Sequence, residues 1–232
     1  MVASGLWYGL GALGMAVGTG YALWGYRADG GDHPRYYAVL GAITGIATVA
    51  YVAMGLGLGQ LQVDGAVFYL PRYVDWLLTT PLLVLYLAML ARPRRRVYGI
   101  LVGLEVVVIA SGVGAAFAPT PLNWAAYLAG LLAFGAILYY LISVLPAQAA
   151  LDAHRPSAVF TKLRNLTVVL WSIYPIVWLL GPFGLGLLLV ETEAMVVTYL
   201  DLLAKVGFVV IAVNGREALS ILDARTPRPT PQ

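Results

Sequence analysis

Apolar positions along the chain gather into seven long blocks, near 4–26, 36–58, 69–91, 97–118, 122–147, 163–181 and 187–213. Each approaches or exceeds the roughly 20 residues that a helix needs to cross a bilayer core. The breaks between them are Asp29-Gly30-Gly31-Asp32-His33-Pro34, Gln60 to Gly65, Ala91-Arg92-Pro93-Arg94-Arg95-Arg96, Pro119-Thr120-Pro121, Asp152 to Lys162, and Gly181-Pro182. The pattern predicts an all-α fold, a seven-transmembrane-helix bundle over residues 1–221, followed by a tail over 222–232. That tail is proline-rich from Thr226 to Gln232 and is expected to be disordered. The first block lacks a basic n-region and runs too long for a cleavable signal peptide.

Composition agrees. The chain is 61% hydrophobic and only 11% charged, where a soluble domain carries roughly a quarter charged residues. Lipid is therefore the first partner, in a multi-pass protein of the cell membrane. The absence of cysteine excludes disulfides and thiolate chemistry. His33 and His154 both lie in polar stretches, so no metal site is expected. A pI near 9.1 does not point to nucleic acid, because the cations sit in short clusters between apolar blocks. Arg27, Arg35, Arg92, Arg94, Arg95, Arg96, Arg155, Lys162, Arg164, Arg216, Arg225 and Arg228 flank the first, third and fifth loops and the tail. The positive-inside rule then predicts an extracellular N-terminus and a cytoplasmic C-terminus. The remaining cations, Arg72 and Lys205, fall inside spans.

Charges at bilayer depth are costly and are usually paired and functional. Arg72 and Asp75 lie on the third span, Glu105 on the fourth, and Asp201 and Lys205 on the seventh. Arg72 and Asp75 are three apart and Asp201 and Lys205 four apart, so each pair shares a helix face. Two structural ion pairs are one reading. The other starts from depth: Lys205 falls mid-span, Asp201 about 6 Å to its extracellular side, and Asp75 in the extracellular half of its own helix. Two carboxylates oppose deprotonation of a buried amine, and such an amine suits a Schiff base with a carbonyl ligand. Trp171, Tyr174, Pro175 and Trp178 form one face of the sixth span, and Asp75, Trp76, Thr79 and Leu83, with Thr80 beside them, line the third. Pro175 removes the hydrogen bond to the Trp171 carbonyl and predicts a kink there. Gly9-Leu10-Gly11-Ala12-Leu13-Gly14 matches G-x-G-x-x-G, but inside a span its glycines read as close helix packing.

The segments Arg72-Tyr73-Val74-Asp75-Trp76-Leu77-Leu78-Thr79-Thr80-Pro81, Trp171-Ser172-Ile173-Tyr174-Pro175-Ile176-Val177-Trp178 and Asp201-Leu202-Leu203-Ala204-Lys205-Val206-Gly207-Phe208 resemble the archaeal microbial rhodopsins. The resemblance covers nearly the whole chain and implies a light-responsive protein that is not an enzyme. It implies retinal held covalently by Lys205 as a protonated Schiff base, with Asp75 as counterion and proton acceptor and Asp201 as second counterion. Arg72 would gate the extracellular side, with Tyr51 and Thr79 beside the counterions. Trp76, Thr80, Val108, Gly130, Trp171, Tyr174 and Trp178 would hold the polyene.

Within the family, the pattern including Asn165-Leu166-Thr167 and Gly181-Pro182 is most similar to the sensory rhodopsin II group. Bacteriorhodopsin-like pumps place an aspartate eleven residues after the counterion; here Tyr86 stands there, about 16 Å inward of Asp75. The family's paired release glutamates reduce to Glu193, the proton release candidate, because Phe183 occupies the second position. The carboxylate of Asp75 argues against a chloride pump. Ala204 and Leu189 replace two threonines of the sensory pattern while Tyr199 is retained, a mixture that resembles middle rhodopsin. Glu105 stands where related positions hold Asn or Asp, and a protonated link between the third and fourth helices is expected of it; spectral tuning or proton traffic is the alternative. The expected function is a sensory photoreceptor that passes a proton to Asp75 and signals by helix movement to a membrane transducer, with homo-oligomers as a further expectation. A light-driven outward proton pump is the alternative, and a helical receptor or carrier with structural ion pairs is a third reading.

Overall fold

The computed structural model describes residues 2–149 and 154–224. Its elements are α1 (Val2–Ala28), α2 (Pro34–Gly55), β1 (Gln60–Val63), β2 (Ala66–Tyr69), α3 (Leu70–Ala91), α4 (Arg95–Phe117), α5 (Leu122–Gln148), α6 (His154–Trp171), α7 (Tyr174–Leu180), α8 (Val190–Asn214) and α9 (Glu217–Ala224). Among the described residues six helical segments are long and apolar enough to cross a membrane: α2, α3, α4, α5, the α6–α7 stretch and α8. α1 is 27 residues long, but its glycines, tyrosines and tryptophans dilute its hydropathy. Large apolar side chains such as Val49 (71% exposed) and Leu132 (68%) cover the outer surface, as lipid-facing positions of a multi-pass membrane protein should.

The fold is mostly helical, as expected, and the first correction is to one of its loops. The break from Gln60 to Gly65 is the first part of an antiparallel hairpin, registered Gln60↔Tyr69 to Val63↔Ala66. Its turn residues Asp64 (φ 48°) and Gly65 (φ 82°) both adopt positive φ, the requirement of a tight two-residue hairpin turn. The hairpin brings Phe68 and Tyr69 into buried contact with Tyr73 and Tyr8. A second correction lies at α6, which starts at His154 and not near 163. Its first turns are polar and basic, so hydropathy alone reads them as loop. α9 crosses the expected 221/222 boundary, while residues 225–232, including the proline-rich stretch, lie outside the described residues.

Two features shape the interior. Ser172 and Ile173 interrupt α6 and α7, where Pro175 offers no N–H to the preceding turn. The backbone of α8 widens to a π-type turn over Leu202–Gly207, around Lys205. On α1, a Cβ at Gly11 would lie 2.2 Å from the Tyr51 ring, and one at Gly14 would lie 2.4 Å from Leu202. A Cβ at Gly9 would meet nothing, so only the last two glycines of the G-x-G-x-x-G segment serve close packing.

Candidate functional site

α3 and α8 place their ionisable groups face to face. Lys205 Nζ donates to Asp75 Oδ2, and Asp201 Oδ2 lies 3.7 Å from the same amine. All three side chains are buried. The i, i+4 spacing of Asp201 and Lys205 supplies one contact and the α3–α8 approach supplies the other. Thr79 Oγ1 donates to the Asp75 carbonyl at 2.8 Å and to its Oδ1 at 3.2 Å. Asp201 receives Tyr51 OH at 2.9 Å, Tyr174 OH, and Trp76 Nε1 at 3.2 Å. A carboxylate with this many donors is held in one orientation.

Arg72 points away from the triad. Its Nη1 donates to Glu193 Oε1 at 3.2 Å and its Nη2 to Tyr8 OH at 3.1 Å. Phe183 lies by Phe68, leaving Glu193 as the acidic partner of Arg72 there. Tyr199 is half-exposed against Trp7, and Leu189 is exposed at the start of α8.

A cavity opens beside Lys205. Thr80, Val108, Gly130, Trp76, Trp171, Tyr174 and Trp178 all line it, as do Arg72, Glu105, Glu193 and Asp201. Asp75, Thr79 and Tyr51 stand behind that wall. Leu83, Ile109, Leu131, Phe134 and Val177 complete an apolar lining, so the space fits a long apolar ligand with one group that reacts with an amine. Glu105 is 2% exposed, and its Oε1 has no hydrogen-bond partner. Thr80 Oγ1 donates to the Trp76 carbonyl at 2.8 Å.

Two residues that touch the site escape sequence reasoning. Tyr127 stacks on Trp178 with ring centroids 4.8 Å apart and donates to the Pro175 carbonyl at 3.1 Å; its position three residues before Gly130 on α5 was the available signal. Tyr8 binds Arg72 from α1. Its signal was a face of Tyr8, Gly11, Met15, Gly18 and Ala22 at helical spacing.

Comparison with known proteins agrees with this geometry. The chain is 46% identical to sensory rhodopsin-2 of Halobacterium salinarum, covering 97% of both chains, and 42% identical to that of Natronomonas pharaonis, covering 90% of this chain and 88% of the relative. Archaerhodopsin-2 of a Halobacterium species is 38% identical over 96% of this chain and 88% of its own. The solved thermophilic rhodopsin of Rubrobacter xylanophilus superposes with a TM-score of 0.89 at 36% identity, covering 95% of this chain and 99% of that one. The family model described as bacteriorhodopsin-like protein matches residues 2–219, and the chain belongs to that family.

Proposed function

We propose that this protein is a retinal photoreceptor of the sensory rhodopsin II type, with retinal held covalently at Lys205. One observation carries the reading: a buried amine paired with two carboxylates beside an apolar, aromatic-lined cavity. α1 joins the six apolar segments as a seventh span, with the N-terminus extracellular and the C-terminus cytoplasmic, as the cation distribution requires. Retinal, when bound, supplies light absorption and a change of shape.

The chain's own groups do the rest. Lys205 Nζ holds a proton against Asp75 Oδ2, its nearest acceptor, and passes it there. The Thr79 hydroxyl, already bonded to Asp75 Oδ1, steadies the acceptor. Asp201, oriented by Tyr51, Tyr174 and Trp76, is the second carboxylate beside the amine. Trp171, Trp178 and Tyr174 orient the ligand from the interrupted α6–α7 stretch, whose break at Ser172 and Ile173 gives that stretch a place to bend. That bending is the movement read by a membrane transducer. Glu193, paired with Arg72, is the group through which a proton reaches the extracellular surface. Outward pumping is the weaker reading, because Tyr86 packs edge-on to Tyr36 and Phe208 where a donor would stand.

The test is reconstitution. Apoprotein mixed with all-trans retinal should give a visible band far to the red of free retinal. Light-induced pH changes in intact cells, with and without a protonophore, separate sensor from pump; sustained acidification from a fast, azide-insensitive cycle would overturn the sensory reading.

A further inference from the structure

The Tyr8 hydroxyl lies outside the Lys205 triad and meets the Arg72 guanidinium directly. Tyr8 is 1% exposed, and its oxygen accepts from Arg72 Nη2 at 3.1 Å. The Arg72 guanidinium carbon also lies 5.8 Å from the Tyr8 ring centroid and 5.4 Å from that of Tyr69. With Glu193 Oε1 at 3.2 Å, the guanidinium is held by one carboxylate, one phenol and two ring faces. Among the described residues no ion pair joins Arg72 to Asp75 or Asp201. Yet Arg72 and Asp75 are three apart on one helix, where side chains are neighbours. Something must keep the positive charge from folding back onto the triad.

We propose that Tyr8 is a positioning residue whose hydroxyl holds Arg72 against Glu193 and so keeps its charge off Asp75 and Asp201. The proposal rests on the reading of Asp75 as proton acceptor of Lys205. The charged and titratable groups facing Asp75 are Lys205 and Asp201 from α8, Tyr51 from α2 and Tyr174 from α7, with the Thr79 hydroxyl from α3 itself. Those facing Arg72 are Tyr8 from α1, Tyr51 from α2, Tyr69 from the hairpin, Tyr73 from α3 and Glu193 from α8. Tyr8 also meets the Tyr51 ring edge-on at 6.3 Å, so the same side chain steadies the tyrosine that holds Asp201.

Tyr8→Phe keeps the ring and drops only the hydroxyl. Retinal-loaded wild type and Tyr8→Phe are titrated with acid, following the red shift that marks protonation of Asp75. The midpoint should fall by about one pH unit, because a released positive charge nearer Asp75 favours its anion. In an Arg72→Gln background the same change should move the midpoint no further, since no guanidinium remains to be released. In retinal-free protein carrying isotope-labelled arginine, the NMR signal of Arg72 Nη2 should move on Tyr8→Phe. An unchanged or raised midpoint, an equal fall in the Arg72→Gln background, or an unmoved Nη2 signal each overturns the proposal. An Asp75→Asn control that keeps the acid-induced shift would instead strike the reading of Asp75, so the two failures are distinguishable.

Discussion

The two sides of Lys205 differ in kind. On the Arg72 side, Asp75, Asp201, Thr79, Tyr51, Trp76 and Tyr174 form a connected hydrogen-bond network, with Tyr8 and Glu193 beyond it. On the Tyr86 side, Leu83, Leu87, Ala204, Phe208 and Val209 are buried and apolar. Tyr86 lies among them, against Tyr36 and Phe208. Among the described residues the buried carboxylates are Asp75, Glu105 and Asp201, and the carboxylate nearest in influence to Tyr86 is the partly buried Asp29 just after α1. On the proposed reading a proton leaves Lys205 toward polar partners and returns through an apolar region, so slow recovery, suited to a persistent signal, is the expected outcome.

The largest effect tests the centre of the comparison. Lys205→Ala should abolish the visible band completely, because the other lysine, Lys162 on α6, does not line the cavity; absorption spectra of the reconstituted variant decide it, and a surviving band would remove the premise that the two sides flank a chromophore. Next comes the apolar side. Tyrosine, with a reference pKa of about 10, is a poor donor at neutral pH, so recovery should be slow and azide should accelerate it. Tyr86→Asp should speed recovery roughly tenfold or more, measured by flash photolysis. No acceleration from either change would mean that the apolar side is not the bottleneck.

On the polar side, Asp75→Asn should shift the band to the red, and acid should do the same to wild type by protonating Asp75. A variant spectrum identical to wild type at every pH would transfer the counterion role to Asp201 or Glu105. The smallest effect concerns support of the network. Gly11→Ala puts a Cβ 2.2 Å from the Tyr51 ring, and overpacking of this kind costs about 1–3 kcal/mol. The thermal midpoint should fall and the band should move slightly as Tyr51 shifts on Asp201; an unaltered midpoint would show that the ring has room to move.

Much of the polar side was legible in the chain because lipid makes buried charge rare. Arg72, Asp75, Asp201 and Lys205 stand out against apolar blocks, and their helical spacing assigns the faces. Glu105 was visible for the same reason, but not its orphan oxygen at the cavity wall, since that depends on what neighbouring helices present. Tyr8 was hidden among other aromatic residues of α1. The hairpin leaves little hydropathy signal because its strands are four residues long, although Asp64-Gly65 marks its turn. The early start of α6 is invisible to hydropathy, which detects lipid, whereas a helix can continue beyond it.

The sequence by itself determined the membrane class, the positions of the apolar segments and the identity of the buried ionisable residues. Each follows from local composition or from spacing within one helix. Only the tertiary structure decided which partners those residues take: Lys205 with Asp75 across α3 and α8, Asp201 under donors from α2, α3 and α7, and Arg72 turned to Tyr8 and Glu193. Helix periodicity states which way a side chain faces on its own helix. What it meets depends on how closely the helices approach, and that rests on contacts such as Gly11 against Tyr51, made by residues 40 positions apart.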